Sequence, residues 1–341
     1  MKIAIHDNPK SFSAGWIKAV SQMGIDVVKV NAYSLSAISD IKKCDAFMWN
    51  WHHGSPKDWL FARQLIVSLE TAGVKVFPDI MTCWHFDDKL GQKYVFEALG
   101  LPAVKSWVFY DKEDALSWAA LVKYPIVFKL RSGAGSSNVR LVKNQRQARN
   151  LISTMFGRGF PSTTVFSDLG TRIRNKWKAG LLVDKLLQAP KIIRNVLKAK
   201  VMLPRQRGYV YFQEYIPNNN YDTRIVVIGD KAIGIRRYCR PDDFRASGSG
   251  AISYEKVDIH NDCIKIAFDA TRQMHLQCGA FDFVRTESGG FLIVEVSYAF
   301  TPDAYYNCQG YWTPDMVWHD EKVFPEKWMV EELILAAKTR K

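Results

Sequence analysis

The stretch PIVFKLRSGAGSSNVRLV, residues 125–142, raises the question on which the fold depends. A short apolar run ends at Lys129, and a loop of glycines and serines separates it from a second apolar run. Because glycine and serine leave the backbone uncovered, successive N–H groups of such a loop can turn toward phosphate oxygens, and the lysine adds a point charge. A plain hairpin turn has the same composition, so the loop alone leaves both interpretations open.

The composition is that of a globular chain. It has 341 residues, of which 48% are apolar, enough for a buried core divided into two or three domains. Its aromatic content argues against disorder, and no apolar run reaches the roughly 18 residues of a membrane span. The six cysteines form no CxxC pair, which suits reduced thiols rather than a zinc site. Because MKIAIHDNPKSFSAG lacks the apolar core of a signal peptide, we expect a cytoplasmic protein.

The charge is uneven along the chain. There are 47 Lys and Arg against 34 Asp and Glu, a net charge of +13, and much of the excess lies in residues 146–207. This basic segment could face a phosphate-rich partner, or it could be a solvated helical surface around an anionic substrate. We favour the second interpretation and consider a nucleic-acid partner unlikely, because no helix-turn-helix, zinc-finger or RNP pattern accompanies the segment.

Strand and helix patterns alternate at the start of the chain and give way to hairpins at its end. KIAIH, IDVVKVNA, CDAFMWNW and VKVFPDI read as strands separated by helical spacing, which predicts a parallel α/β domain over residues 1–82. No GxGxxG follows the first strand, so this domain lacks the dinucleotide fingerprint. Residues 83–210 are predicted to hold a linker helix, a lid subdomain and a basic helical insertion. Residues 211–341 contain hairpins around Gly229-Asp230 and Ser288-Gly289-Gly290 and form the third predicted unit.

Five signals in this order resemble the ATP-grasp superfamily of carboxylate ligases, and in particular its glutathione synthetase-like members. They are a lysine in DDKLGQKYVFEALGLPAVKS, the KLRSGAGSS loop, the strand QEYI, the DTR strand with its arginine-bearing hairpin, and the pair GAFDF and LIVEVS. The resemblance implies an ATP-grasp architecture of mixed α/β and α+β class. It would consist of an N-terminal parallel α/β domain, a middle lid subdomain and a C-terminal antiparallel-sheet subdomain.

The same resemblance assigns roles to individual residues. ATP would be bound by phosphate-contacting lysines, a Gly/Ser lid, an adenine hinge and the acid of the DTR strand: Lys89, Lys129, Gly133, Gly135, Ser136, Ser137, Gln213, Glu214, Tyr215, Ile216 and Asp222. Donors to the phosphate or the acceptor carboxylate would be Arg224, Arg237 and Arg245. Mg²⁺ would be held by Asp282 and Glu295, with Ser297 in the position where the family usually has asparagine. Two carboxylates on paired strands suit magnesium better than zinc or copper.

Each of these residues also has a structural interpretation. The lysines could be surface residues, the acids ordinary strand charges and the arginines part of the basic surface. The ordered conjunction of all five signals favours the ATP-grasp interpretation. His52, His53 and His85 have no cysteine or carboxylate partner at ligand spacing, so an acceptor-pocket or structural role is favoured over a metal site.

The implied reaction is ligation of a small-molecule carboxylate to an amine through an acyl phosphate. Arg224, Arg236, Arg237, Arg240 and Arg245 lie close together in sequence, which leads us to expect an acidic acceptor such as an acidic sugar, a uronate or an amino-acid carboxylate. The aromatic tail YYNCQGYWTPDMVWHDEKVF resembles, more weakly, ATP-grasp proteins of bacterial surface-polysaccharide biosynthesis, or it is a packing tail. A kinase on the same nucleotide site, a non-catalytic ATP- or nucleic-acid-binding protein, and a homodimer all remain open.

Overall fold

The computed structural model describes residues 1–8, 11–52, 54–133, 138–161, 205–241, 243–246 and 248–338. Three residues of the predicted lid, Gly135, Ser136 and Ser137, lie outside the described residues, as do His53 and most of the basic segment.

The N-terminal part is the parallel α/β unit that the sequence predicts. Its sheet has the order β2-β1-β3-β4, and its strands are β1 (Lys2–His6), β2 (Asp26–Val30), β3 (Ala46–Met48) and β4 (Lys75–Phe77). The helices are α1 (Ser13–Gln22), α2 (Ala37–Ile41), α3 (Pro56–Thr71) and α4 (Ile80–Cys83). Helix α3 shows how local sequence sets these bounds. The Ser55 side chain caps its first turn by accepting from the Asp58 N–H, and Gly73 follows its end at φ 84°.

The middle part is an antiparallel sheet covered by helices. The sheet order is β5-β8-β6-β7, and its strands are β5 (Ser106–Phe109), β6 (Ile126–Lys129), β7 (Val139–Val142) and β8 (Val210–Glu214). The helices are α5 (Lys89–Ala98), α6 (Lys112–Leu121) and α7 (Gln145–Met155). The third predicted unit begins at residue 211, so nearly all of β8 was expected to belong to it. In the structure, β8 pairs with β5 and β6 of this middle sheet. The domain limits themselves remain a prediction.

The C-terminal part is built on a larger antiparallel sheet of order β13-β12-β9-β10-β14-β15, with β11 paired to β10. Its strands are β9 (Tyr221–Ile228), β10 (Lys231–Tyr238), β11 (Ile252–Ser253), β12 (Cys278–Arg285), β13 (Phe291–Ser297), β14 (Tyr311–Trp312) and β15 (Trp318–His319). The helices are α8 (Asn261–Gln273) and α9 (Pro325–Lys338), with 3₁₀ turns at Lys256–Asp258 and Pro302–Ala304. Both predicted hairpins, β9–β10 and β12–β13, are present.

The C-terminal sheet is buried on both faces, and this arrangement places the site. Val226 and Ile235 on one face pack in a core with Trp16 of α1 and Met329 of α9. The opposite face packs under α8. The middle part is attached at the edge strand β13, where the Val104 N–H donates to the Ile293 carbonyl at 2.9 Å. The polar end of the sheet face that packs against α1 and α9 therefore borders the space between the N-terminal and middle parts.

Candidate functional site

Six of the predicted site residues lie on a single face of the C-terminal sheet. Because successive side chains of a strand alternate between faces, residues two apart on paired strands share one face. The register places Asp282 opposite both Glu295 and Arg224, and Arg237 opposite Asp222. Ser297 pairs with Ala280, two residues before Asp282. The structure thus brings together Asp222, Arg224, Arg237, Asp282, Glu295 and Ser297.

A β-bulge adjusts this face at Glu295. The β12–β13 register shifts between Asp282 and Phe283, so that Asp282 pairs with Glu295 while Phe283 pairs with Ile293. Val294 is therefore the extra residue of β13. Ile293 stays in the buried core, whereas Val294 and Glu295 both line a cavity. Bulges re-aim side chains in this way next to many active sites.

Two arginines clamp Asp282. The Arg224 guanidinium donates to both Asp282 oxygens, from Nε at 2.5 Å and from Nη2 at 2.7 Å. Arg237 donates to both Asp222 oxygens, and its Nη2 lies 2.9 Å from Asp282 Oδ2. Burial opposes the charge of Asp282, but the two guanidinium groups outweigh it and hold its pKa well below its ordinary value. Burial and the neighbouring Asp282 charge raise the pKa of Asp222 to about 6.

Lys129 is a buried cation at the end of β6. Its residue surface is only 6% exposed, and it lines the same cavity as Asp282 and Glu295. Within the described residues no acceptor lies at hydrogen-bond or ion-pair distance from its ammonium group. Burial lowers the pKa of Lys129 to about 8, with Glu295 opposing this shift and Lys89 adding to it. A buried ammonium without a direct ion-pair or hydrogen-bond contact suits an anionic ligand.

Lys89 connects the first turn of α5 to the loop after β6. Its ammonium donates to the Gly133 carbonyl at 3.0 Å and lies 3.9 Å from Glu295 Oε2. The Gly133 N–H in turn donates to Asp87 Oδ1 at 2.8 Å. Burial raises the pKa of Asp87 to about 6, although Lys89 opposes the shift. The start of the predicted lid is thereby fixed to α5.

Asp87 and Asp88, which precede Lys89, are not among the site residues predicted from the sequence. Asp88 caps α5 by accepting from the Leu90 and Gly91 N–H groups, and it also forms an ion pair with Arg131 of the loop after β6. The signal that could have found Asp88 is an acidic residue directly before an amphipathic helical pattern, a typical N-cap. No comparable pattern identifies Asp87, whose role depends on tertiary contact with Gly133.

The predicted hinge residues border a cavity of about 130 Å³ between the middle and C-terminal sheets. Gln213 is buried and donates to Ser106 Oγ at 3.1 Å, while the Glu214 side chain is exposed. Tyr215 packs edge-on against Phe244. Val127, Val139, Val284 and Val294 supply apolar walls, and Ile216, Asp222 and Arg245 also line this cavity. We call it the nucleotide cavity.

A larger cavity of about 730 Å³ adjoins it. Lys89, Gly133 and Glu295 line both cavities, so these residues mark their junction. The walls come from the N-terminal part, including Trp51 and His52, and from the segment that follows β13. We call it the acceptor cavity. His85 is not in its lining and lies buried beside Trp84.

Not every predicted arginine lies at this junction. Arg236 lies on the opposite face of β10, where it pairs with Asp258 at 2.8 Å and stacks over Tyr221. Arg240 is directed at the Gly248 carbonyl. Arg245 lines the nucleotide cavity and pairs with Asp243 at 2.8 Å. Of the five arginines on which the expectation of an acidic acceptor rests, Arg236 therefore lies away from both cavities, because neighbouring residues of β10 point to opposite faces.

The donor set can be compared with the needs of magnesium. Magnesium in nucleotide sites takes one or two protein carboxylates and completes its shell with phosphate oxygens and water. Asp282 and Glu295 supply two hard oxygen donors on adjacent strands. The Ser297 hydroxyl is engaged locally, since it donates to the Ala299 carbonyl at 2.7 Å. The pair of carboxylates fits magnesium beside a triphosphate, with Asp282 also held by its arginines.

Two features are absent from the described residues. No group of three or more His, Cys, Asp or Glu side chains there could enclose a metal ion by itself. None of the helices in the same ranges has the length and apolar character of a membrane span.

Comparison with known proteins addresses the fold of the chain. Residues 174–301 match the RimK-like ATP-grasp domain, and the first 31 of these residues precede the described part of the match. No curated protein sequence matches the chain. Several hundred solved chains match its structure.

Three solved structures illustrate the likeness, each at 14% sequence identity. A RimK domain ATP-grasp protein from Sphaerobacter thermophilus DSM 20745 has a TM-score of 0.58 and covers 98% of this chain and 100% of its own. The D-cycloserine synthetase DcsG has a TM-score of 0.59, with coverage of 99% and 100%. The ATP-grasp ligase PsnB, complexed with the precursor peptide PsnA2 and AMPPNP, has a TM-score of 0.53, with coverage of 99% and 98%.

The chain therefore has the ATP-grasp fold, and its sequence carries a match to the RimK-like branch of that superfamily. At this level of identity the solved structures establish the fold, not the substrates.

Proposed function

We propose that the protein is an ATP-dependent ligase that joins a carboxylate to an amine through an acyl phosphate, with magnesium as the metal. One observation carries the proposal. Lys89 and Glu295 lie where the nucleotide cavity meets the acceptor cavity, beside the buried Lys129 and the clamped Asp282. Phosphate-binding cations and metal-binding acids therefore border the space where a second substrate could meet the nucleotide.

The nucleotide cavity suits ATP in both its apolar and its cationic walls. The valine side chains can sandwich a purine, and in the described part of the chain the N–H groups of Tyr215 and Ile216 have no hydrogen-bond partner, so they can meet its edge. Lys129 and Lys89 would hold the phosphates, since a buried cation gains most from an anionic partner in a low-dielectric site. Bound magnesium, held by Glu295 and Asp282, would neutralise phosphate charge.

The chemistry follows from this placement. A substrate carboxylate in the acceptor cavity attacks the γ-phosphorus, and the bond to the ADP oxygen breaks. An amine then attacks the carbonyl carbon, phosphate leaves, and an amide forms as the amine loses a proton. Arg224 lines the acceptor cavity and is fixed in orientation by Asp282, so its positive charge can stabilise the transferred phosphoryl group with little reorganisation. Arg237 contributes its charge from beside Asp282.

The informative experiment is to screen carboxylates against a panel of amines for ADP release, followed by mass spectrometry of the product. A ligase requires both substrates and forms an amide. ADP release with hydroxyl compounds alone, and a product that keeps the phosphate, would instead make the protein a kinase.

Substitution Glu295→Gln tests the metal assignment. We expect turnover to fall at least about 100-fold, because a neutral amide cannot offset the charge of a metal–phosphate centre, while the fold stays intact. Glu287→Gln is the matched control, since Glu287 is an exposed residue in the turn of the same β12–β13 hairpin. Full activity of Glu295→Gln at ordinary magnesium would contradict the assignment.

A further inference from the structure

The acceptor cavity has an acidic wall formed by α1, α9 and the segment between β13 and β14. Glu326, the second residue of α9, lines this wall and is only 8% exposed. The Tyr306 hydroxyl donates to Glu326 Oε1 at 2.5 Å. In the described ranges, Glu326 Oε2 has no hydrogen-bond partner and no basic side chain forms an ion pair with this carboxylate. Lys18 lines the same cavity but is exposed.

The position of Glu326 depends on a glycine in the facing helix. A Cβ added at Gly15 of α1 would lie 2.6 Å from Glu326 Cγ and 2.7 Å from its Oε1. These distances are below normal contact, so the missing side chain at Gly15 makes room for Glu326. The first turn of α9 also favours a negative charge, because the backbone N–H groups at a helix N-terminus are partly positive. The fold thus accommodates a carboxylate at this wall.

A buried carboxylate beside open space calls for a positively charged partner. Glu326 borders that open space, so a ligand cation that enters the cavity can pair with its Oε2, and a pair in a partly buried site is screened less than one at the surface. Aromatic rings add to the attraction, since Phe12 and Phe300 line the same cavity with their centroids 5.2 Å apart. A cation near an aromatic face is stabilised by the ring quadrupole.

We propose that Glu326, with Tyr306, binds a cationic group of the substrate that occupies the acceptor cavity. The proposal rests on the proposed function, because the same cavity is bordered by Lys89, Arg224 and Glu295 at the reaction site. The substrate is then amino-acid-like in its charges. One end reacts beside the phosphates, and an ammonium or guanidinium elsewhere in the molecule pairs with Glu326.

Direct binding tests this proposal without requiring turnover. Calorimetry in the presence of MgADP would compare lysine with norleucine, which has a similar chain but no side-chain ammonium, and putrescine with butylamine. In at least one pair, we expect the member with the additional ammonium to bind at least about 30-fold more tightly than the member that lacks it, as for other buried charge pairs. A preference within the first pair indicates a carboxylate substrate with a cationic side chain. A preference within the second pair indicates an amine substrate with a second cationic group.

Substitutions connect that preference to the residue. Glu326→Gln should remove the preference, and Tyr306→Phe should weaken it several-fold by removing one hydrogen bond to the carboxylate. Glu331→Gln is the matched control, because Glu331 lies in the same helix, pairs with Lys327 and does not line the cavity. A retained thermal shift with MgADP shows that each variant is folded.

The outcomes separate this proposal from the proposed function. Equal binding of the two members of both pairs by the wild type, or an unchanged preference in folded Glu326→Gln, would overturn the proposal. A Glu326-dependent preference without ADP release from any carboxylate and amine would support the cation site and count against the ligase assignment.

Discussion

Replacing Lys129 with methionine should stabilise the free protein and remove most of its response to ATP. Lys129 is buried, and burial lowers its pKa from 10.5 to about 8. A shift of this size corresponds to about 3 kcal/mol needed to keep the ammonium charged in the folded state at neutral pH. Lys129→Met removes the charge but fills a similar volume, so we expect a gain of up to about 3 kcal/mol at pH 7.

The pH dependence of this gain has a definite sign. Between pH 8 and 10.5 the unfolded chain binds more protons at Lys129 than the folded chain does, so wild-type stability rises with pH. The advantage of Lys129→Met should therefore shrink across this window and vanish above it. Thermal unfolding followed by tryptophan fluorescence at several pH values measures the difference.

The same variant should lose most of the thermal shift that MgATP produces, because the buried charge that holds the phosphates is absent. Lys143→Met is the control, since Lys143 is an exposed lysine that directly follows β7. It should leave both the melting temperature and the MgATP shift unchanged. A Lys129→Met protein that is less stable than wild type at pH 7, yet still responds fully to MgATP, would refute both the burial argument and the phosphate assignment.

Two further substitutions test the charged network. Arg237→Leu leaves Asp222 and Asp282 buried with fewer partners, so we expect the free energy of unfolding in urea to fall by about 3–5 kcal/mol. The control Arg272→Leu, at an exposed position, should change it little. An equally small effect of Arg237→Leu would contradict the network. Burial raises the pKa of Asp87 to about 6, so between pH 4 and 6 the folded wild type binds more protons at Asp87 than the unfolded chain does, and its stability falls as pH rises. Asp87→Asn lacks this loss, so its stability relative to wild type should increase across the same window. A melting-temperature difference that is constant from pH 4 to 7 would argue against that pKa.

Much of the fold could be predicted because its signals are local. Alternating and helical apolar patterns marked the strands and helices, and Gly229 and Gly289, both at positive φ, marked the turns of the two hairpins. The spacing of Asp222 and Arg224 on one strand placed both side chains on one face. Neither signal depends on distant parts of the chain.

The pairing of charges could not be predicted in the same way. Which acid holds Arg224 depends on β12 lying beside β9, a contact between residues 58 positions apart. The close spacing of five arginines in the sequence does not bring all of them to one site, because the two-residue period of β10 places Arg236 and Arg237 on opposite faces. The burial of Lys129 and Glu326 likewise depends on tertiary packing.

Because Val294 is an extra residue, the alternation of side chains between the two faces of β13 shifts by one position at the bulge. On the turn side, Ile293 faces the core, and beyond the bulge Val296 does so, three positions later instead of two or four. Deletion of one residue at this point would restore regular alternation. The side chains along one half of the strand would then point to the opposite face of the sheet. Length variation in the turn around Gly289 leaves that alternation untouched. The turn of the hairpin can therefore vary in length during evolution. Near Glu295, the number of residues in β13 is fixed, because a change of even one residue would reverse the side-chain directions.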